Sequence, residues 1–433
     1  MKNITLLVLA ILFLNGCSKK IDENPTPISG ETLLTQNAAE LNKLIVPMQH
    51  EPLNLSDAEL AYFDDLKSAQ IIGLGEATHG SKEFFQMKHR LFKYFVEHFN
   101  HKVFAFEMDF SESLIFDEYL QTGNGDIEKL MKEKMYFWTW NTSEVKDLLV
   151  WMKDYNIGKS SKERLHIYGV DCQTFRYNVP ELIKRVSVID AKMGQEISNL
   201  LTDLNVDKFE GKKANILLVN ELIKNNKASL TLKSSSTEYD FIEHIADIIV
   251  QTETDLTSNN QENRDLFMAE NTIWLKKHTA YPMSVWAHNA HIKNTESSNA
   301  SDRMMGYHIN NKLQGGYSTI GFSFAEGSVT AVDSESNKLG YYNFGINSFT
   351  GYSNELLSKA KTPNFFYKTA IVYRNAGLHT YFDNTPFYQI GAVFYAKPMT
   401  PDVKVYVPLL EVNYNYVIHI NKTTNSDNYW LRK

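Results

Sequence analysis

The chain has 433 residues, 43% of them hydrophobic and 22% charged, with a formal net charge of -7. That composition supplies apolar surface for a large core, and the length admits one elaborated α/β domain. A mildly acidic chain without a basic stripe argues against nucleic acid as a partner.

The N-terminus carries Lys2 and then an apolar run, Ile4 to Leu14, too short to span a bilayer. The run ends in Leu14-Asn15-Gly16-Cys17, which resembles a bacterial lipobox. Residues 1–16 are therefore expected to be a signal peptide and Cys17 to be acylated. Residues 17–35, polar and carrying Pro25, Pro27 and Gly30, are expected to be a flexible tether. The protein is then exported and held to a membrane by its lipid. The other cysteine, Cys172, has no partner for an intrachain disulfide, so stability must come from the core.

From residue 36 onward one catalytic domain is expected. Gln70 to Leu74 reads as a buried strand, and Ser81 to Phe99 as a helix with Phe84, Phe85, Leu91, Phe92, Phe95 and Phe99 at helical spacing. Lys102 to Phe106 is the next strand. Helical patterns follow over Ser111 to Leu120, Asp126 to Lys134 and Ser143 to Tyr155, and Leu165 to Val170 is a third strand. The stretch from about 180 to 277 is almost wholly helical and reads as an insertion or cap. Met283 to Ala287 resumes the strand pattern, Arg303 to Leu313 is a helix, and Ser318 to Phe324 and Gly391 to Tyr395 are strands. Strands alternating with helices predict an α/β fold, a mainly parallel sheet with helices on both faces.

Ligands of parallel sheets collect beyond the carboxyl ends of the strands. Beyond the first strand lie Glu76 and His79, beyond the second Glu107, beyond the third Asp171, and beyond Ala287 come His288 and His291. If these strands are neighbours, their titratable groups share one pocket. An imidazole suits general-base work on water near neutral pH, and Glu76, three residues before His79, is placed to orient its ring. The His288-x-x-His291 pair suits metal binding or polarisation of a carbonyl. Lys88 falls in the apolar stripe of its helix, where it either snorkels or meets a carboxylate. Cys172 reads as a packed thiol. There is no G-x-S-x-G elbow, H-E-x-x-H motif or Walker A loop. Glu76 also opposes a dinucleotide reading of Gly73-x-Gly75.

Gly75-Glu76-Ala77-Thr78-His79-Gly80 with Glu83, Phe106-Glu107, and His288-Asn289-Ala290-His291 together resemble the erythromycin esterase family. Trp138-Thr139-Trp140 with Glu144 and Trp151, Arg264-Asp265 with Met268-Ala269-Glu270-Asn271, and Met305-Gly306-Tyr307-His308 are also similar. The resemblance implies hydrolysis of a carboxylic ester, a macrolide lactone in the namesake members, without a metal cofactor. His79 would be the base, Glu76 and Glu107 would position it and the water, and His288 and His291 would bind or polarise the ester. Lys88, Asp171 and His308 are expected to bind substrate. The resemblance departs at Lys88, where some members carry arginine; lysine keeps the charge but loses the bidentate fork. Two alternatives share these residues. One is a hydrolase or peptidase using a divalent metal held by Glu76, His79, Glu107, His288 and His291. The other is a non-catalytic surface protein that binds a hydrophobic ligand.

Overall fold

The computed structural model describes residues 30–206, 208–258, 260, 262–294, 303–345, 350–396 and 413–432. The expected signal peptide and Cys17 lie outside these residues. The first helix, Gly30–Leu41, begins inside the stretch read as tether and buries Asn37, Ala38 and Leu41. No helix among the described residues is long and apolar enough to cross a membrane.

Ten strands form one mixed sheet. They are β1 (Val46–Pro47), β2 (Ile71–Leu74), β3 (Val103–Asp109), β4 (His166–Asp171), β5 (Met283–Trp286), β6 (Tyr317–Asp333), β7 (Leu339–Phe344), β8 (Asn364–Lys368), β9 (Val393–Phe394) and β10 (Tyr416–Thr423). The order is β1-β8-β10-β6-β2-β5-β3-β4, with β7 and β9 attached to β6. The run from β10 to β4 is parallel throughout, and β1, β7 and β8 enter antiparallel. The fold is thus α/β, as the strand–helix alternation requires, with an antiparallel margin. The eight-residue β10, unmarked in the sequence, lies between β6 and β8 in the sheet.

Each central strand is buried on both faces, so successive residues serve different cores. Ile72, Leu74, Phe104, Phe106 and Trp286 face the helix Lys82–Phe99 and the helix Ser143–Asn156. Ile71, Val103, Ala105, Met283 and Val285 face the opposite core, which includes the insertion. Between β4 and β5 the described residues form six helices spanning Asn178 to Thr279. In β2, β3 and β5 one face therefore carries the aromatic side chains and the other is aliphatic. The same alternation decides where the polar groups at the strand ends go.

Candidate active site

Strand register sets the frame. Leu74 and Phe106 both pair with Trp286, so β2 and β5 end level beside Phe106, β3 runs on to Asp109, and the strands lie in the order β2, β5, β3 with β4 outermost. The loop Gly75 to Gly80 leaves β2 under tight backbone control. Asn289 N–H donates to the Glu76 carbonyl (2.9 Å), Ile390 N–H to Ala77 (2.8 Å), and Thr330 N–H to Gly80 (3.0 Å). Two of its glycines are required by close approach. A Cβ on Gly75 would lie 2.1 Å from Asn289 Oδ1, and one on Gly80 would lie 1.8 Å from the Thr330 carbonyl oxygen.

Glu76 continues the alternation of Ile72 and Leu74 and so turns toward the helix Lys82–Phe99. It is fully buried. Its Oε1 accepts from His79 Nδ1 (2.6 Å); its Oε2 accepts from the Trp286 indole N–H (2.8 Å) and from Lys88. Lys88 is fully buried as well, with its ammonium 4.1 Å from the centroid of Trp286. Burial alone would raise the Glu76 carboxyl, but the Lys88 charge and the His79 hydrogen bond outweigh it and hold it below its ordinary value. Burial pushes the Lys88 ammonium down to about 8, against the pull of Glu76. Lys88 therefore lies beneath Glu76 rather than on an open surface. Its geometry fits neutralising that carboxylate, not the expected contact with substrate.

The carboxylate fixes the His79 tautomer. With Nδ1–H donated to Glu76, the lone pair of the neutral ring sits on Nε2, and the side chain is 14% exposed. His288 faces it, with ring centroids 5.1 Å apart. His288 Nδ1 accepts from Ala290 N–H (3.3 Å), which leaves its proton on Nε2. That Nε2 is buried and has no hydrogen-bond partner among the described residues. Burial first, then the neighbouring imidazoles, push His288 down to about 3, so it presents a neutral N–H.

Glu107 follows Ala105 on the aliphatic face and meets the insertion. A register shift between Phe106 and Asp109 marks a bulge there, a device that re-aims side chains at strand ends. Glu107 Oε2 accepts from His288 backbone N–H (2.9 Å) and Oε1 from Arg264 Nη2 (2.8 Å). His291 Nε2 lies 3.3 Å from the same Oε1, and its Nδ1 donates to Asp265 (2.7 Å). Burial opposes charge on His291, but Asp265 and Glu107 raise it to about 10, so it is an imidazolium. The 3.3 Å approach of Arg264 Nη1 to His291 Nε2 is then two donors converging on one carboxylate. Burial would raise Glu107; His291 and Arg264 hold it well below the carboxylate range.

Asp171 closes the outer side as a bidentate partner of Arg264, at 3.0 and 2.7 Å, and acts on Glu107 through that guanidinium. Cys172 is buried, and burial with the nearby Asp171 raises its thiol well above the ordinary range, in line with a packed residue. His308 faces Glu262 (3.3 Å), not the cluster around His79. The fold thus brings Glu76, His79, Glu107, His288 and His291 together. Lys88 and Asp171 stand behind them, and His308 pairs elsewhere. Trp286, Arg264 and Asp265 are the members that reading strand ends missed. Trp286 is the last residue of β5 itself rather than a residue beyond it, and the other two open a helix 157 residues and more beyond Glu107. The family-like Arg264-Asp265 pair was the available signal.

Among the described residues, the group whose potential ligand atoms all lie within 4.8 Å of one another is Asp57, Glu97 and His98, exposed and separate from this cluster. The cavity of about 710 Å³ between the first helix and Tyr381 and Thr385 contains none of the cluster residues.

A row of neighbouring strand ends bearing a carboxylate-oriented histidine opposite an imidazole N–H defines a hydrolase-type centre. The sequence profile of the erythromycin esterase family matches residues 96–423, and the chain belongs to that family. Erythromycin esterase type II of Escherichia coli is 24% identical over 350 residues, 70% of this chain and 81% of that one. The Bacillus subtilis (strain 168) protein YbfO, which is named as a hydrolase, is 27% identical over 326 residues, 66% of this chain and 71% of its own. A solved Bacillus cereus structure shares the fold at a TM-score of 0.77 and 24% identity, covering 92% of this chain and 99% of that one. An erythromycin esterase mutant in its open conformation does so at 0.65 and 16%, covering 90% and 99%. The family and these relatives support a hydrolase.

Proposed function

We propose that this hydrolase cleaves a carboxylic ester by general-base activation of water at His79. The observation that carries the proposal is the chain Lys88–Glu76–His79, set against the unpartnered Nε2–H of His288. Glu76 holds the His79 ring so that Nε2 takes a proton from water. The hydroxide formed adds to the ester carbonyl carbon. Charge then develops on the carbonyl oxygen, where the His288 N–H supplies a preorganised donor and the nearby His291 imidazolium, its own N–H groups held by Asp265 and Glu107, supplies positive charge. Collapse of the tetrahedral adduct breaks the acyl–oxygen bond, and the His79 imidazolium returns its proton to the leaving alkoxide. The products are a carboxylic acid and an alcohol.

A metal-free reading is preferred because positive charge is already resident. Lys88 faces Glu76, while Arg264 and His291 face Glu107, Asp171 and Asp265. A macrolide lactone is one candidate ester, by kinship with the erythromycin esterases. The test is a panel of simple esters and macrolides, with products read by mass spectrometry with and without chelator. His79→Ala should lower kcat by roughly 10²–10⁴-fold with the fold intact. Hydrolysis that is unchanged by His79→Ala, or abolished by chelation, would overturn the proposal. Export and acylation at Cys17 are proposed on the sequence alone; a Cys17→Ser chain that stays in the membrane fraction would refute them.

A further inference from the structure

Arg264 breaks a local rule. It occupies the second position of the helix Asn263–Thr279, where the helix dipole disfavours a cation. Such breaches of local preference gather at functional sites. The guanidinium reaches out of the insertion to strand ends that the sequence places far away. It grips Asp171 with Nε and Nη2, and Nη2 also donates to Glu107 Oε1, the oxygen that His291 approaches. The next residue, Asp265, accepts from His291 Nδ1 and from Met305 N–H (2.8 Å). Two consecutive residues of one helix therefore set both hydrogen-bonding sides of His291. Glu107 in turn fixes the His288 backbone through Oε2. The Arg264 side chain is 22% exposed, so its socket opens to solvent on one side.

We propose that Arg264 is a positioning residue supplied by the helical insertion, which, anchored on Asp171, locks Glu107 and thereby aims His288 at the ester and holds the charged His291 beside it. This rests on the ester-hydrolase reading for its catalytic consequence, but not for the geometry of the socket. Glu107 has two oxygens, each committed to a different task. Removing the fork frees Oε1 to rotate away from His291 and loosens the Oε2 contact that seats His288. The fork's fixed donor directions matter because Nε and Nη2 together hold both oxygens of Asp171 while Nη2 also reaches Glu107 Oε1, and a lysine ammonium keeps the charge without that fixed pair.

The experiment uses Arg264→Ala and Arg264→Lys, with methylguanidinium as probe and potassium chloride at equal ionic strength as control. Arg264→Ala should lose about 10²-fold in kcat with KM nearly unchanged, the size of effect expected from misplaced reacting groups. Arg264→Lys should stay closer to the alanine variant than to wild type, although it keeps the charge. Added methylguanidinium should restore at least roughly tenfold of the lost kcat, about 1.4 kcal/mol of barrier. Calorimetry reads the socket without turnover: Arg264→Ala should bind methylguanidinium saturably, and wild type should not. If Arg264→Ala fails to fold, a wild-type-like kcat in Arg264→Lys overturns the proposal, and a large kcat loss there at constant KM supports it. Rescue by potassium chloride alone, or no saturable binding by a folded Arg264→Ala, also overturns it. Saturable binding in a protein that turns over no ester would keep the socket and refute the ester reading.

Discussion

Glu76 and Glu107 are buried carboxylates at the ends of two strands that flank β5, yet the fold handles them differently. Glu76 points to the aromatic face and is neutralised from below by Lys88, only twelve residues away and sealed among Phe85, Trp286 and Phe322. Glu107 points to the aliphatic face and is neutralised by Arg264 and His291, delivered by the insertion and by the segment after β5. One carboxylate holds a histidine whose outer nitrogen is free to take a proton. The other holds a histidine that is kept charged. A single sheet thus separates base from electrophile by sending alternate residues to opposite layers. The lesson is that the insertion does more than cover the sheet, because it completes the second half of the centre.

Breaking the Glu76 half should have the largest effect on stability. Lys88→Met leaves a carboxylate buried and unpaired, so urea unfolding should show a loss of about 3–5 kcal/mol. A loss under about 1 kcal/mol would mean that Glu76 is neutralised in some other way. Trp286→Phe keeps the aromatic packing but removes the indole donor to Glu76, a hydrogen bond to a charged group worth about 1.5–3 kcal/mol. The same variant in an acid-protonated protein should cost less, because the acceptor is then neutral.

The two halves also differ in the sign of their pH dependence. Glu76 and Glu107 are held below the ordinary carboxylate value of 4.5, so their contribution is present above that pH and is lost as pH falls through their folded values. Denaturant midpoints measured from pH 6 to pH 3 should therefore fall, and Glu107→Gln should flatten the fall. His291 is raised from 6.5 to about 10, so its contribution is full below pH 6.5 and is lost as pH climbs toward 10. Lys88 has the opposite slope, since its lowered value costs stability most below about 8 and that cost fades by 10.5. Comparing wild type with Asp265→Asn cancels Lys88. The variant should show the shallower alkaline loss, the smallest of these effects, and an equal slope would show that Asp265 does not hold the His291 charge.

The sequence made the Glu76 half legible because it is local. A strand, a six-residue loop and a helix place Glu76, His79 and Lys88 within thirteen residues, and strand-end reasoning finds the first two directly. For Lys88 the apolar stripe left two outcomes, snorkelling or a carboxylate, and the helix takes the second, seating it under Glu76 with no exposure rather than at the expected substrate-binding position. The Glu107 half was legible only as a list of strand ends. Its geometry depends on a bulge at Phe106, on β5 lying between β2 and β3, and on Arg264 arriving from another layer. None of these leaves a periodic trace in the chain. His308 shows the same limit, since a motif beside the correct helix faces Glu262 instead.

The central claim, that water activated by His79 attacks an acyl carbon, is tested most directly by hydrolysis of a substrate ester in ¹⁸O-labelled water. One labelled oxygen is expected in the carboxylic acid and none in the alcohol, with label uptake falling with kcat in His79→Ala. Label in the alcohol, or label entering the acid at the wild-type rate in His79→Ala, would contradict it.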